Sequence, residues 1–235
     1  MAAKTAAEEA DRPRLTKSAV VGRALEMADT GGVDALTIRR LATELGVTPM
    51  ALYWHFRSKD ELLAALCDHI WNEIDLDVDR RAPWPDQLRA MLESLVGVLR
   101  AHPSGPQLIL AHEKESAASM RAAELALSLL LDAGFDPEQA SEITRTALWA
   151  ALSMVMSEPG FEPDVQAGLD DAERAEHQRR KQVKIAMLPA DQYPHLVNCA
   201  IPFTTVDPDF HYRFGIDLFV AGVQALAPKS PLVGE

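Results

Sequence analysis

The 235-residue sequence has only two cysteines. Cys67 and Cys199 lack CxxC spacing and lie in apolar helical or loop contexts, which excludes a disulfide scaffold or a zinc ribbon and leaves two free thiols of a reducing compartment. No run approaches the roughly 18 uncharged apolar residues of a membrane span, and MAAKTAAEEADRPR at the start holds no apolar signal-peptide core. The expectation is a cytoplasmic protein whose first 13 residues are disordered. Also missing are GxSxG, HExxH, a phosphate-cradling glycine loop and any tight Asp/His/Cys cluster, while His177, His195 and His211 stand isolated on polar or loop segments. An enzyme, a cofactor or a bound metal is therefore not expected.

Positive charge is scarce as well, with 23 Lys and Arg against 35 Asp and Glu, a formal net charge of −12. Taken whole, that balance argues against nucleic acid, whose phosphates reward a positive surface. The distribution reverses the inference: residues 12–60 carry eight basic and five acidic side chains, a net of +3, residues 1–11 carry −2, and the remainder carries −13. A basic head on an acidic body would face DNA with the head alone.

Apolar residues recur at helical spacing almost throughout, and strand-like alternation is absent, so the fold class is all-α. Thr16 caps a first helix bearing Val20, Val21, Ala24, Leu25 and Ala28, which Thr30-Gly31-Gly32 stops. Thr37 precedes a second, with Ile38, Leu41, Ala42 and Leu45 on one face and Gly46 at its end. Thr48 caps a short third helix over 49–55, with Pro49 in its first turn, where a missing N–H costs nothing. Ser58 and Glu61 form a capping box that opens a longer helix through Leu62, Leu66, Ile70 and Ile74. The charged stretch DLDVDRRAPW reads as a boundary. Further helices are expected over 85–101, a short apolar piece over 104–111, then 116–133, 138–156, a very polar 166–187 and 210–227. Residues 157–165 read as a loop, residues 188–208 as a proline-rich connection with one turn of helix near His195–Ala200, and APKSPLVGE as a tail.

Two short helices joined by Gly46-Val47 make a helix-turn-helix, whose second helix fits the major groove, where each base pair shows its own donor and acceptor pattern. Leu41, Leu45, Val47, Leu52 and Phe56 are the expected core. Thr48, Pro49, Met50, Ala51, Tyr53, Trp54 and His55 include the groove-facing set. Tyr53 and His55 offer donors to phosphates, and Thr37, Arg57 and Lys59 sit at element ends where backbone clamps form. Arg39 is the candidate for a bidentate contact to guanine.

The stretch RLTKSAVVGRALEMADTGGVDALTIRRLATELGVTPMALYWHFRSKDELLAAL, residues 14–66, strongly resembles the DNA-binding domain of the tetracycline-repressor family, with its LYWHF-type recognition helix and following xxKxxLL. By that resemblance Arg39 is the base-reading arginine, Thr37, Tyr53, His55 and Lys59 are phosphate clamps and flanking contacts, and Leu52, Trp54 and Phe56 hold the helix in place. The family's namesake presents glutamine and threonine to the bases where this chain has Pro49 and Ala51, so a different operator is implied, still pseudo-palindromic and read by a symmetric dimer.

The resemblance continues more weakly past residue 75. It implies a reading domain over 14–62 and a helical ligand-binding and dimerisation domain over 63–228, with Ile143, Ala147, Ala151, Phe214, Leu218, Ala221 and Gly222 at the interface of a homodimer. Pockets in helical proteins form between helices, which makes Met91, Leu95, His102, Leu108, Leu110, His112, Met120, Leu127, Trp149, Ser153 and Met154 candidate lining for a small-molecule effector. The namesake holds its drug as a magnesium chelate with histidines. His102 falls near such a position, but no second histidine and acid follow at matching spacing, so neither metal nor tetracycline is expected. The implied function is repression relieved by effector binding, with the helix over 58–74 as lever; activation, or a helical interaction protein without DNA binding, remain alternatives.

Overall fold

In a computed structural model, residues 15–112, 116–158, 170–205 and 207–228 are described. The N-terminal arm, most of the loop over 157–165, the start of the polar segment at 166–169 and most of the C-terminal tail lie outside them. The described residues form twelve helices and no strand. The chain divides into two compact units, residues 1–74 with 101–120, and residues 75–100 with 121–235.

The first unit contains α1 (Lys17–Gly31), a 3₁₀ turn (Val33–Ala35), α2 (Ile38–Glu44), α3 (Pro49–Tyr53), α4 (Lys59–Glu73), and, after the chain returns, α6 (Gly105–Ala111). Each of the first four helices starts on a hydroxyl cap that accepts an orphan N–H: Thr16 from Ala19, Thr37 from Arg40, Thr48 from Ala51 and Ser58 from Glu61. The box at Ser58 differs slightly from expectation, because the Glu61 carboxylate returns to the Arg57 N–H at 2.8 Å. One residue outside the cap, that N–H is equally without a helical partner. Buried Val20, Ala24, Leu36, Leu41, Leu52, Phe56, Leu62, Leu66, Ile70 and Leu108 supply the core.

The second unit holds most of α5 (Trp84–Ala101) and α7 (Ala117–Asp132), then α8 (Pro137–Met156), α9 (Asp171–Ala186), α10 (Pro194–Asn198), α11 (Ala200–Thr204) and α12 (Pro208–Leu226). The proline-rich connection thus makes two short helices where the sequence pointed to a single turn; each is closed by its own backbone bonds, Cys199 N–H to His195 and Thr205 N–H to Ile201. Helices α8 and α12 pack closely at Gly215, where a Cβ would land on Met154 Sδ. Around that contact His211 Nε2 donates to the Met154 carbonyl at 3.0 Å, Tyr212 donates to Glu158 at 2.7 Å, and Arg100 stacks on the Tyr212 ring at 4.4 Å. Arg89 ties α5 to α12 through Asp217 at 2.6 Å. No helix among the described residues is long and apolar enough to cross a membrane.

Candidate nucleic-acid interface

The turn between α2 and α3 is a Schellman motif. Val47 N–H reaches the Ala42 carbonyl at 2.9 Å and Gly46 N–H reaches Thr43 at 3.1 Å, with Gly46 at φ +64°. A β-carbon is disfavoured at that φ, so the glycine sets the sharp reversal that angles α3 away from α2. A further strut was not foreseen: Arg23 of α1 bridges Glu26 at 2.7 Å and Glu44 of α2 at 2.8 Å. Its signal in the sequence is faint, because Arg23 and Glu44 lie 21 positions apart.

Helix α3 is only five residues long, too short to persist alone. It is held from beneath by Leu52 and Phe56, both fully buried, and Lys17 Nζ lies 5.1 Å from the Phe56 ring centroid. Its other side is open. Met50 is 68% exposed, Tyr53 48% and Trp54 86%, with Thr48 and Pro49 also exposed and Ala51 and His55 half-buried. Arg39 and Thr37 on α2 are exposed too. A hydroxyl that accepts a capping N–H still has its own proton to give, so Thr37 and Thr48 retain a donor for a phosphate.

Three expectations change. Trp54 does not hold the helix in place, since an indole 86% exposed packs against little among the described residues; it follows the end of α3, while Leu52 and Phe56 are buried. Lys59 has part of its capacity committed: Nζ donates to the Val33 carbonyl at 3.4 Å, tying α4 to the 3₁₀ turn. Leu45 and Val47, expected in the core, are half-buried.

The residues expected to line an effector pocket scatter. Leu108, His112 and Met120 lie in the first unit, buried, half-buried and half-exposed respectively, with Leu110 also in that unit and 41% exposed. His102 is a correction. Its Nδ1 lies 2.8 Å from Asp29 Oδ2 and its Nε2 2.9 Å from Glu73 Oε2, while Ser104 donates to Asp29 through its N–H at 3.0 Å and its hydroxyl at 2.6 Å. Two carboxylates can only accept, so both ring nitrogens donate and the ring is an imidazolium. Burial pushes its pKa down, and the hydrogen bonds and charges of Asp29 and Glu73 outweigh that, leaving it raised. Both nitrogens being occupied, His102 is a structural clamp between α1, α4 and the start of α6.

In the second unit Met91 and Leu127 are half-buried and Leu95 and Met154 buried. Trp149, 55% exposed, and Ser153 stand on the open face of α8. The interface set changes correspondingly. Ile143 and Ala151 are 8% and 0% exposed within the single chain and face inward, and Ala147 is half-buried. On α12 the expected stripe is open, with Phe214 at 55%, Leu218 at 66% and Ala221 and Gly222 exposed, extended by Phe210 stacked on Phe214 at 5.5 Å. The open face of α8, with Trp149 and Ser153, lies about half a turn from the face that bears Ile143 and Ala151. Helical periodicity marks two apolar faces on such a helix, and only packing tells which one the subunit keeps. Among the described residues no group of three or more His, Cys, Asp or Glu side chains is placed to hold a metal.

The family described as bacterial regulatory proteins of the tetR family matches residues 21–66, and the tetracyclin repressor-like C-terminal domain matches residues 79–227. The chain belongs to the tetR family of DNA-binding transcriptional regulators, and it is not an enzyme. It is 32% identical over 213 residues to the class A tetracycline repressor from transposon 1721 of Escherichia coli, covering 89% of this chain and 91% of that one. Among solved structures it resembles the TetR family protein ActR of Streptomyces coelicolor in complex with actinorhodin, at 26% identity and a TM-score of 0.74, covering 92% of this chain and 100% of that one. It also resembles BioQ with its double-stranded DNA operator, at 26% identity and a TM-score of 0.61, covering 90% and 99%.

Proposed function

We propose that this regulator is a repressor that grips a pseudo-palindromic operator as a homodimer and lets go when a small molecule binds its helical body. Residues 14–62 form the reading domain and residues 63–228 the sensing and pairing domain. The observation that carries the reading is the display of Met50, Tyr53 and Trp54 to solvent on a five-residue helix anchored by Leu52 and Phe56. A folded chain that leaves three large apolar or aromatic side chains together on its surface has a partner for them, and a helix of this kind beside an exposed arginine fits the major groove. Arg39 reads a base, Tyr53 and His55 contact phosphate or base edges, Trp54 stacks along the backbone, and Thr37, Thr48 and Lys59 clamp it.

Pairing is assigned to the open stripe of α12, Phe210, Phe214, Leu218 and Gly222, beside the face of α8 that bears Trp149 and Ser153, where small residues permit close helix approach. Similarity to a solved actinorhodin complex and to tetracycline repressors supports an effector for this chain, of chemistry not fixed by them. Met91, Leu95, Leu127 and Met154 remain lining candidates.

The test is fluorescence anisotropy on duplexes selected from random sequence. The wild type should bind a palindromic site with two half-sites about one helical turn apart, 34 to 36 Å. Arg39→Ala should weaken that site by about 5- to 150-fold, the worth of a bidentate base contact. Equal affinity of Arg39→Ala and wild type for the selected site would overturn the assignment.

A further inference from the structure

The second unit contains a cavity of about 430 Å³ lined by Arg80, Trp84, Gln87, Leu129, Asp132 and Ala133. None of these residues was anticipated as a ligand contact. The size lies in the range of small-molecule sites. One wall is built by the Schellman turn that ends α7, where Phe135 N–H reaches Leu130 at 3.1 Å and Gly134 N–H reaches Leu131 at 3.0 Å, Gly134 having φ +93°. Phe135, buried behind the turn, meets the Trp84 ring edge-on at 5.6 Å and 89°. The indole is thereby fixed, and its remaining surface is half-exposed.

The polar groups are what make this more than a gap between helices. Gln87 is 7% exposed; its Nε2 donates to the Ala82 carbonyl at 2.7 Å, and its Oε1 is buried with no partner. The amide cannot be flipped to relieve this, because that would set its oxygen against the Ala82 carbonyl. A buried acceptor left unmatched is costly, and such orphans mark places where a ligand or water completes the structure. At the rim stand two opposite charges, Arg80 and Asp132, both exposed, neither in an ion pair with the other or with any described residue.

We infer that this cavity is a binding site for a small aromatic zwitterion, its ring against Trp84 and Leu129, an N–H given to Gln87 Oε1, and its carboxylate and ammonium facing Arg80 and Asp132. An aromatic ring stacks favourably on a fixed indole, a bidentate Arg–carboxylate pair adds orientation, and a donor entering the wall removes the cost of the orphaned oxygen. The inference goes beyond the repressor reading, since the site binds its ligand whether or not DNA is released.

Isothermal titration of the full chain with L-tryptophan, tryptamine and indole-3-acetate tests it in the absence of DNA. L-Tryptophan should saturate one site per chain and bind tightest. Arg80→Gln should weaken L-tryptophan and indole-3-acetate by about 5- to 10-fold and leave tryptamine unchanged, and Asp132→Asn should weaken L-tryptophan and tryptamine alone by a similar factor, the size expected for one net hydrogen bond whose charges solvent screens. Gln87→Leu should weaken all three equally, and the thermal transition of each variant reports that it is folded; Gln87→Met is the second variant should the leucine fail to fold. Non-saturating heats for all three probes, or affinities indifferent to Arg80→Gln and to the Gln87 variants, would overturn the proposal.

Discussion

Replacing His102 with glutamine removes a charged donor from between two acids while leaving a neutral side chain that titrates nowhere near neutrality. In the wild type the ring gives one hydrogen bond to Asp29 at 2.8 Å and one to Glu73 at 2.9 Å. Hydrogen bonds to charged partners are worth about 1.5 to 3 kcal/mol, and the lower end applies because solvent screens the outer one; the Glu73 side chain is 38% exposed. A loss of about 1.5 kcal/mol is close to tenfold in a local opening equilibrium. Hydrogen exchange followed by mass spectrometry should therefore show about tenfold faster exchange in peptides holding Asp29, Glu73 and Ser104 in the variant. The pH dependence is the sharper part. Because the folded pKa of His102 is raised above its ordinary 6.5, its stabilisation is fully present below pH 6.5 and is lost as pH rises through the folded value. A neutral ring turns one lone pair toward a carboxylate. The gap between wild type and His102→Gln should thus be widest near pH 6 and close on going to alkaline buffer. A gap that is constant with pH, or that widens, would refute the imidazolium clamp.

Leu218→Glu, which puts charge on a 66% exposed position of the α12 stripe, should yield monomers by light scattering and abolish binding to a palindromic duplex while leaving helix content unchanged. Gly215→Val crowds Met154 at the α8–α12 contact and should destabilise by about 1 to 3 kcal/mol, read as a lowered urea midpoint. The Cys67 thiol, pushed up to about 11 chiefly by burial, should resist a disulfide reagent at neutral pH, while exposed Cys199 reacts at once; two fast thiols per chain would contradict that burial. Trp54→Ala, removing a side chain 86% exposed, should leave thermal stability within about 0.5 kcal/mol of wild type and weaken operator binding, measured by anisotropy.

The helices and their ends were legible because their causes are local. Thr16, Thr37, Thr48 and Ser58 cap where they stand since a hydroxyl needs only the N–H three residues on, and Gly46 reverses the chain through its own φ. The split of α3 into a buried pair, Leu52 and Phe56, and an exposed set was legible for the same reason, the two alternating within a few residues. What periodicity cannot tell is which of two apolar faces a helix buries. Ile143 and Ala151 turned inward, and Trp149, expected in a pocket, turned out. Trp54 gave no local sign of its exposure, since an aromatic beside Leu52 and Phe56 is equally suited to either side.

Charges and cavities lay further out of reach. His102 meets Asp29 across 73 positions and Glu73 across 29, and the orphaned Gln87 oxygen exists only because the Ala82 carbonyl takes its nitrogen and Trp84 and Phe135 close the wall behind it. Such pairings cost chain entropy and are chosen by the whole packing at once. The sequence by itself determined that the chain is helical and where the short helix α3 sits, because those depend on neighbours along the chain. Which histidine is a clamp, which helix face remains open and which buried acceptor is left without a partner were decided by tertiary structure, because they depend on neighbours in space.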